Sequence, residues 1–328
     1  MKNKDLIFEL KTLEKDLLSN ADINDFFKGV DLESENDLTN QFLLKYISLK
    51  SECFKRMLTL NYSLKDKTII VTGGSSGIGE QVAKLCKQLG AKIYVFDIKK
   101  PNIENVVWFN VDVTDKNQVD NAVNSIQNID YLVTCAGLFG FDESMTKEQR
   151  DREFNVNVNG TINLVEACFE KLKKSSGGIC SITSGLCKTL DPTCLTYCIT
   201  KQEIMKYVTS KKNLGVKINT VLPGPILTPL LVKDVPTLVE LAEYASLNPE
   251  GYCGCPEHIA LGVVDLIATN QNNVDLALDG GESKMYKKED NKYWIKNYNG
   301  GFSIEYQGKT YEWDLDNSYI GVENETDI

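Results

Sequence analysis

Thr68-Ile69-Ile70-Val71-Thr72-Gly73-Gly74-Ser75-Ser76-Gly77-Ile78-Gly79 is the stretch on which the reading of this chain turns. A short β-branched run, the composition of a buried strand, passes directly into a glycine-rich turn, and the residues from Glu80 to about Leu89 have the texture of a helix. Glycines at 73, 77 and 79 let backbone come close to a pyrophosphate and let the helix pack tightly on its strand. Ser75, Ser76 and Ile78 complete the loop, and the helix start offers free N–H groups and a positive dipole end to phosphates. A tight strand-to-helix turn alone would explain the same glycines, so the loop needs a second signal. That signal is Asp97, which closes the next apolar run, Ile93–Asp97, 18 residues after Gly79. A dinucleotide-binding fold places there the carboxylate that holds the adenosine ribose hydroxyls. Asp97 would repel a 2′-phosphate, and no Arg lies in the loop or directly after Asp97, so the expected cofactor is NAD(H) rather than NADP(H).

Working outward, apolar runs at Thr68–Val71, Ile93–Phe96, Val106–Phe109, Tyr131–Val133, Ile179–Ile182 and Lys217–Val221 alternate with longer helix-like segments, and the pattern closes at Leu276–Asp279. This is the rhythm of βαβ units. It predicts an α/β fold, a doubly wound (Rossmann) parallel sheet with helices on both faces, over residues 63–281. Residues 1–62 read as a helical extension: Leu6, Leu10, Leu13 and Leu17 recur at helical spacing, and Phe42, Tyr46, Phe54 and Leu58 suggest a second amphipathic helix. The stretch between, about 20–36, is polar and reads as a connection. Residues 282–328 alternate aromatic and polar residues (Tyr293–Tyr298, Phe302–Tyr306, Thr310–Leu315) around glycine turns, which predicts a small antiparallel meander.

The chain has 328 residues, with 36 Lys+Arg against 46 Asp+Glu and a formal net charge of −10. An acidic balance argues against nucleic acid and anionic membranes as partners. No apolar run reaches the ~18 residues of a membrane span, and the N-terminus is too charged for a secretory signal, so a cytoplasmic location is expected. Ten cysteines sit mostly in apolar segments, as free thiols do in a reducing compartment. Cys253, Cys255 and the single His258 lack the usual spacing of a zinc site, so no metal is expected.

These features, and several further motifs between about Ser63 and Gly281, resemble the short-chain dehydrogenase/reductase superfamily. Thr72-Gly73-x-x-x-Gly77-Ile78-Gly79 matches its cofactor loop, and Asp112-Val113 looks like its adenine-contacting pair. Ala136-Gly137 resembles the end of its strand-four motif, with Cys135 standing where the family usually carries Asn. Pro223-Gly224, with Thr228, resembles the segment that contacts the nicotinamide carboxamide. Ser184, Tyr197, Lys201 and the helical Asn157 resemble its full catalytic tetrad. The resemblance implies that Tyr197 and Lys201 also touch the cofactor, and that Asn157 holds a water relaying protons from Lys201 to solvent.

The spacing is chemically sensible without the family name. Tyr197 and Lys201 are four residues apart, so a helix stacks them on one face. A phenol with a free pKa of ~10 needs about 4 kcal/mol of preference for phenolate to act as a base near pH 7. A cation ~5 Å away at an effective dielectric of ~20 offers about 3 kcal/mol, so Lys201 falls a little short and an oxidised nicotinamide ring would complete the shift. Ser184 would donate to the substrate oxygen. The expected activity is hydride transfer between nicotinamide and a small alcohol or carbonyl substrate by a homo-oligomer, a dimer or tetramer. A sugar or sugar-nucleotide epimerase or dehydratase, and a non-enzymatic dinucleotide-binding scaffold, are the alternatives. The segment after Thr228, with Leu230, Leu231, Val235 and Leu241, reads as an apolar lid. Cys187, Cys194 and Cys198, near the catalytic segment, read as buried packing rather than reactive thiols.

Overall fold

The computed structural model describes residues 1–15, 23–188 and 191–281, together with the backbone of three strands at 294–298, 301–306 and 309–314. Seven parallel strands form one sheet: β1 (Thr68–Thr72), β2 (Lys92–Asp97), β3 (Val107–Asn110), β4 (Tyr131–Thr134), β5 (Gly178–Ile182), β6 (Lys217–Pro223) and β7 (Val274–Leu278). Their order is β3-β2-β1-β4-β5-β6-β7. The order reverses direction between β1 and β4, where Thr72 lies opposite Thr134 at the carboxyl ends of both strands. Loops leaving the two strands diverge to opposite faces there, which opens the crevice where such sheets bind ligands.

The strands are apolar throughout because both faces are covered. Alternate side chains serve different layers. Ile69, Val71, Val95 and Val133 belong to one buried cluster, with the helices Gly77–Gln88 and Pro256–Ala268. Ile70, Phe96, Leu132 and Ile218 belong to the other, with the helices Lys116–Asn124, Gly160–Lys174 and Leu195–Ser210. Among the described residues no helix is long and apolar enough to cross a membrane.

The N-terminal segment adds a further layer over the first cluster. Helix Asn3–Leu13 buries Leu6, Ile7 and Leu10, and helix Leu38–Thr59 buries Phe42, Leu43, Tyr46, Ile47 and Cys53. This corrects the sequence reading of the second helix in one respect. Phe42 and Tyr46 are buried, but Phe54 and Leu58 face solvent and the buried stripe continues through Lys50 and Cys53 instead. Lys50 can lie inward because Glu14 and Glu257 both pair with it, and Glu14 also accepts from the Tyr46 hydroxyl. The polar stretch 20–36 is likewise more than a connection, since it includes a helical turn, Ile23–Phe26, whose Phe26 is fully buried. Leu17 lies outside the described residues. At the C-terminus β8 (Trp294–Tyr298), β9 (Gly301–Tyr306) and β10 (Lys309–Asp314) pair antiparallel in the order β10-β9-β8, which is the expected meander.

Candidate active site

The glycine loop leaves β1 at the crevice. Gly73 has φ +63°, and a side chain on it would meet the backbone of Ala136 at 2.8 Å. A Cβ on Gly79 would lie 2.3 Å from the Gly73 carbonyl oxygen, so the helix Gly77–Gln88 can approach its strand only with glycine there. Ser76 occupies the N-cap position, but its side chain makes no capping bond, which leaves the first-turn amides of Gly77, Ile78 and Gly79 uncapped by it. Asp97, at the end of β2, accepts from the Ser75 amide at 3.1 Å and the Lys99 amide at 2.9 Å, which fixes its carboxylate beside the loop. Across the crevice the Thr72 hydroxyl accepts from the amides of Cys135 and Ala136, both at 3.2 Å, and ties the loop after β4 to β1. This glycine cradle, with a carboxylate on one side and uncapped amides at its floor, fits a dinucleotide pyrophosphate and ribose.

Beyond the cradle opens a cleft of about 750 Å³, a volume that includes the solvent at its open mouth. Ile78, Gly137, Ser184, Tyr197, Lys201, Pro223, Gly224 and Thr228 all line it, so the structure gathers eight of the sequence-predicted residues at one cavity. Thr228 also touches the cradle, since a Cβ on Gly77 would come within 3.3 Å of its methyl group. Leu138, Phe139, Leu186, Leu230, Leu231 and Tyr244 make the remaining wall largely apolar. Asp112 and Val113 stand apart on the loop after β3: Asp112 is exposed and accepts from the Thr114 amide and hydroxyl, while Val113 packs against Gly160.

Helix Leu195–Ser210 sets Tyr197 and Lys201 one turn apart. The Lys201 ammonium lies 5.5 Å from the Tyr197 ring centroid and donates to the Ile182 carbonyl at 3.2 Å. Phe139 meets the Tyr197 ring edge-on at 5.0 Å and limits how it can turn. Ser184 follows β5, with its hydroxyl 3.5 Å from the Pro223 carbonyl and accepting from the Leu186 amide at 3.2 Å. Burial lowers the Lys201 pKa to about 8. Burial also pushes the Tyr197 phenol well above its ordinary range, and the charge of Glu153 adds to this while the Ser184 hydroxyl opposes it. In the free chain desolvation therefore outweighs the ammonium, and Tyr197 is held as the neutral acid.

Asn157 lies beneath the cleft in a π-helical segment, Asn155–Asn159. Its Oδ1 accepts from the Leu138 amide at 2.7 Å, and its Nδ2 donates to the Leu138 carbonyl and to the Thr200 hydroxyl, each at 3.0 Å. One residue thus clamps the loop after β4 to the helix bearing Lys201. A Cβ placed on Gly137 would sit 3.2 Å from Asn157 Oδ1 and 3.6 Å from Lys201 Nζ, so glycine keeps that junction open. The Asn157 backbone carbonyl accepts from the Thr161 hydroxyl at 2.7 Å.

Glu153 escaped the sequence reading. It is 2 % exposed, its Oε1 has no hydrogen-bond partner among the described residues, and burial, with the charge of Asp142, raises its pKa to about 9. The available signal was a carboxylate one helical turn before Asn157, but helix Lys147–Phe154 is so polar that an inward acid does not stand out. Cys187, Cys194 and Cys198 are buried, and burial pushes the Cys187 thiol up to about 12.

Residues 67–238 match the sequence model of the family described as short chain dehydrogenase. A 3-oxoacyl-[acyl-carrier-protein] reductase of Thermotoga maritima is 28% identical over 245 residues, covering 66% of this chain and 98% of the relative. A 2,5-dichloro-2,5-cyclohexadiene-1,4-diol dehydrogenase of Sphingobium indicum is 30% identical over 248 residues, covering 67% and 97%. Among solved structures, the ligand-free aldohexose dehydrogenase of Thermoplasma acidophilum superposes with a TM-score of 0.63 at 25% identity, over 69% of this chain and 98% of its own. With the crevice, the glycine cradle and these likenesses in agreement, the chain belongs to the short-chain dehydrogenase family.

Proposed function

We propose that this protein is an NAD(H)-dependent oxidoreductase that interconverts a small alcohol and its carbonyl compound. The observation that carries the reading is the convergence of Ser184, Tyr197 and Lys201 on one cleft whose far end is the glycine cradle. Bound NAD(H) would supply or accept the hydride. The amides at the start of helix Gly77–Gln88 would hold its phosphates, and Asp97 its adenosine ribose, which favours NAD(H) over NADP(H). Pro223, Gly224 and Thr228 would border the carboxamide, with Ala136 and Gly137 on the opposite side.

In reduction Tyr197 gives its proton to the substrate oxygen as that oxygen gains negative charge, and the buried neutral phenol suits this direction. In oxidation the substrate hydroxyl loses its proton to Tyr197 and its carbon-bound hydrogen leaves as hydride. Lys201 favours the phenolate that oxidation requires, and Ser184 donates to the substrate oxygen. Asn157 holds the parts in register, and, as the family resemblance implies, it would hold a water linking Lys201 to solvent. The apolar wall of Leu138, Phe139, Leu186, Leu230 and Leu231 favours an uncharged substrate body. Assembly as a homodimer or homotetramer completes the reading, and the solution mass tests it.

Purified protein, screened against alcohols and ketones with each nicotinamide cofactor, should change the reduced-nicotinamide absorbance. Tyr197→Phe should abolish that change. A panel with no turnover, or a Tyr197→Phe variant as active as wild type, overturns the proposal.

A further inference from the structure

The lid helix Leu238–Ser246 carries Tyr244 on the cleft wall, yet it is only nine residues long. A nine-residue helix has little stability of its own, even with the capping box that Thr237 and Glu240 supply. It needs a surface on which to bury its face of Leu238, Leu241, Ala242 and Ala245. Among the described elements its principal neighbour is not a strand or a catalytic helix but the N-terminal helix Leu38–Thr59.

That N-terminal helix, 22 residues and so about 33 Å long, is anchored along its second half to helix Pro256–Ala268 and the residue before it. Lys50 pairs with Glu257 at 3.5 Å while also meeting Glu14, Cys53 Sγ lies 3.9 Å from Cys255 Sγ, and Arg56 pairs with Asp265. Its first half faces the lid. Phe42 shares the buried cluster with Leu238 and Leu241, and Lys45 Nζ donates to the Glu250 carbonyl at 2.7 Å just past the lid helix. The turn before it also reaches the lid, as a Cβ on Gly29 would touch Val239 at 3.6 Å. The strut lies outside the 67–238 family match, so the shared family sequence does not account for this contact.

We propose that helix Leu38–Thr59 is a fixed strut for the substrate wall: held to the core by its second half, it positions the lid helix, and with it Tyr244, by its first half. Phe42 and Lys45 are then positioning residues for substrate, although neither reaches the cleft. The structural part of this proposal is independent of the chemistry, and its kinetic part rests on the hydride-transfer reading.

The test compares wild type, Phe42→Ala and Lys45→Ala as full-length proteins by hydrogen–deuterium exchange, with NADH titrated by its fluorescence. Amides of 238–246 should exchange at least tenfold faster in Phe42→Ala and about threefold faster in Lys45→Ala. Amides of Thr68–Thr72 and the NADH Kd should stay within twofold of wild type. If a substrate emerges from the screen, its KM should rise by at least fivefold in Phe42→Ala at unchanged kcat. Wild-type protection of 238–246 in a folded variant overturns the proposal, as does equal loosening of lid and β1. If Phe42→Ala does not fold, Lys45→Ala decides. A protein that turns over no substrate refutes the function proposed above and leaves the exchange result to decide this one.

Discussion

Replacing Lys201 with Met keeps the length and apolar stem of the side chain and removes only the ammonium, and two opposite effects should follow. The ammonium lies 5.5 Å from the Tyr197 ring centroid. At that separation and an effective dielectric of ~20, a unit charge stabilises phenolate by about 3 kcal/mol, or roughly two pKa units. Oxidation at pH 7, where Lys201 keeps its proton, should therefore fall about 100-fold, and the deficit should narrow as pH passes 8 and wild type loses its own ammonium. Carbonyl reduction, which starts from neutral phenol, should lose less, so the ratio of the two rates carries the diagnosis.

Stability should move the other way. The folded pKa of Lys201 is depressed to about 8 from an ordinary 10.5, so the native state binds its proton less tightly than the unfolded chain. That penalty is fully present below pH 8 and disappears as pH rises towards 10.5. It amounts to about 3 kcal/mol at neutral pH, offset in the variant by about 1 kcal/mol for the Ile182 carbonyl that loses its donor. Lys201→Met should thus melt several degrees higher than wild type at pH 7, with the gap closing above pH 10. Initial rates in both directions between pH 6 and 10, paired with thermal melts, make the measurement. Undiminished oxidation at pH 7, or a variant less stable than wild type at that pH, would refute the electrostatic account.

Glu153→Gln tests the other buried charge. A carboxyl whose folded pKa is raised to about 9 costs stability increasingly as pH climbs from its unfolded value through 9, so the variant should melt higher at pH 8 and show a flatter pH dependence. Calorimetry across pH 5–9 reads it, and parallel curves for the two proteins would contradict it. Asp97→Ser should raise the NADP-to-NAD ratio of kcat/KM at least tenfold, because the carboxylate beside the Ser75 amide no longer repels a 2′-phosphate; an unchanged ratio would move the adenosine elsewhere. Gly79→Ala puts a methyl 2.3 Å from the Gly73 carbonyl and should cost about 1–3 kcal/mol of stability together with most NADH affinity, read by melts and fluorescence titration.

Much of this molecule is written in short-range pattern. The short β-branched apolar runs name the strands to within a residue or two. The glycine spacing names the cradle because Gly79 answers the Gly73 carbonyl and Gly73 the loop after the adjoining strand, whereas Gly77 meets Thr228 from far along the chain. The step from Tyr197 to Lys201 survives into the structure because a single helix enforces it. Ser184 and Asn157 come from distant segments, yet parallel strand order brings them to the same end of the sheet.

The layered α/β core, its glycine cradle and the polar residues gathered at the carboxyl ends of its strands are legible from residue order, since apolar runs, turn chemistry and helical spacing act over a few residues. Tertiary structure alone decided the rest. It turned Lys50 and Cys53 inward in place of Phe54 and Leu58, carried Lys45 to Glu250 across 205 residues, and buried Glu153 near Tyr197. It also holds the Tyr197 phenol neutral more firmly than the charge arithmetic alone expects. The physical reason is common to all of these: burial and desolvation depend on which faces meet after the chain has closed on itself, and no local spacing encodes that meeting.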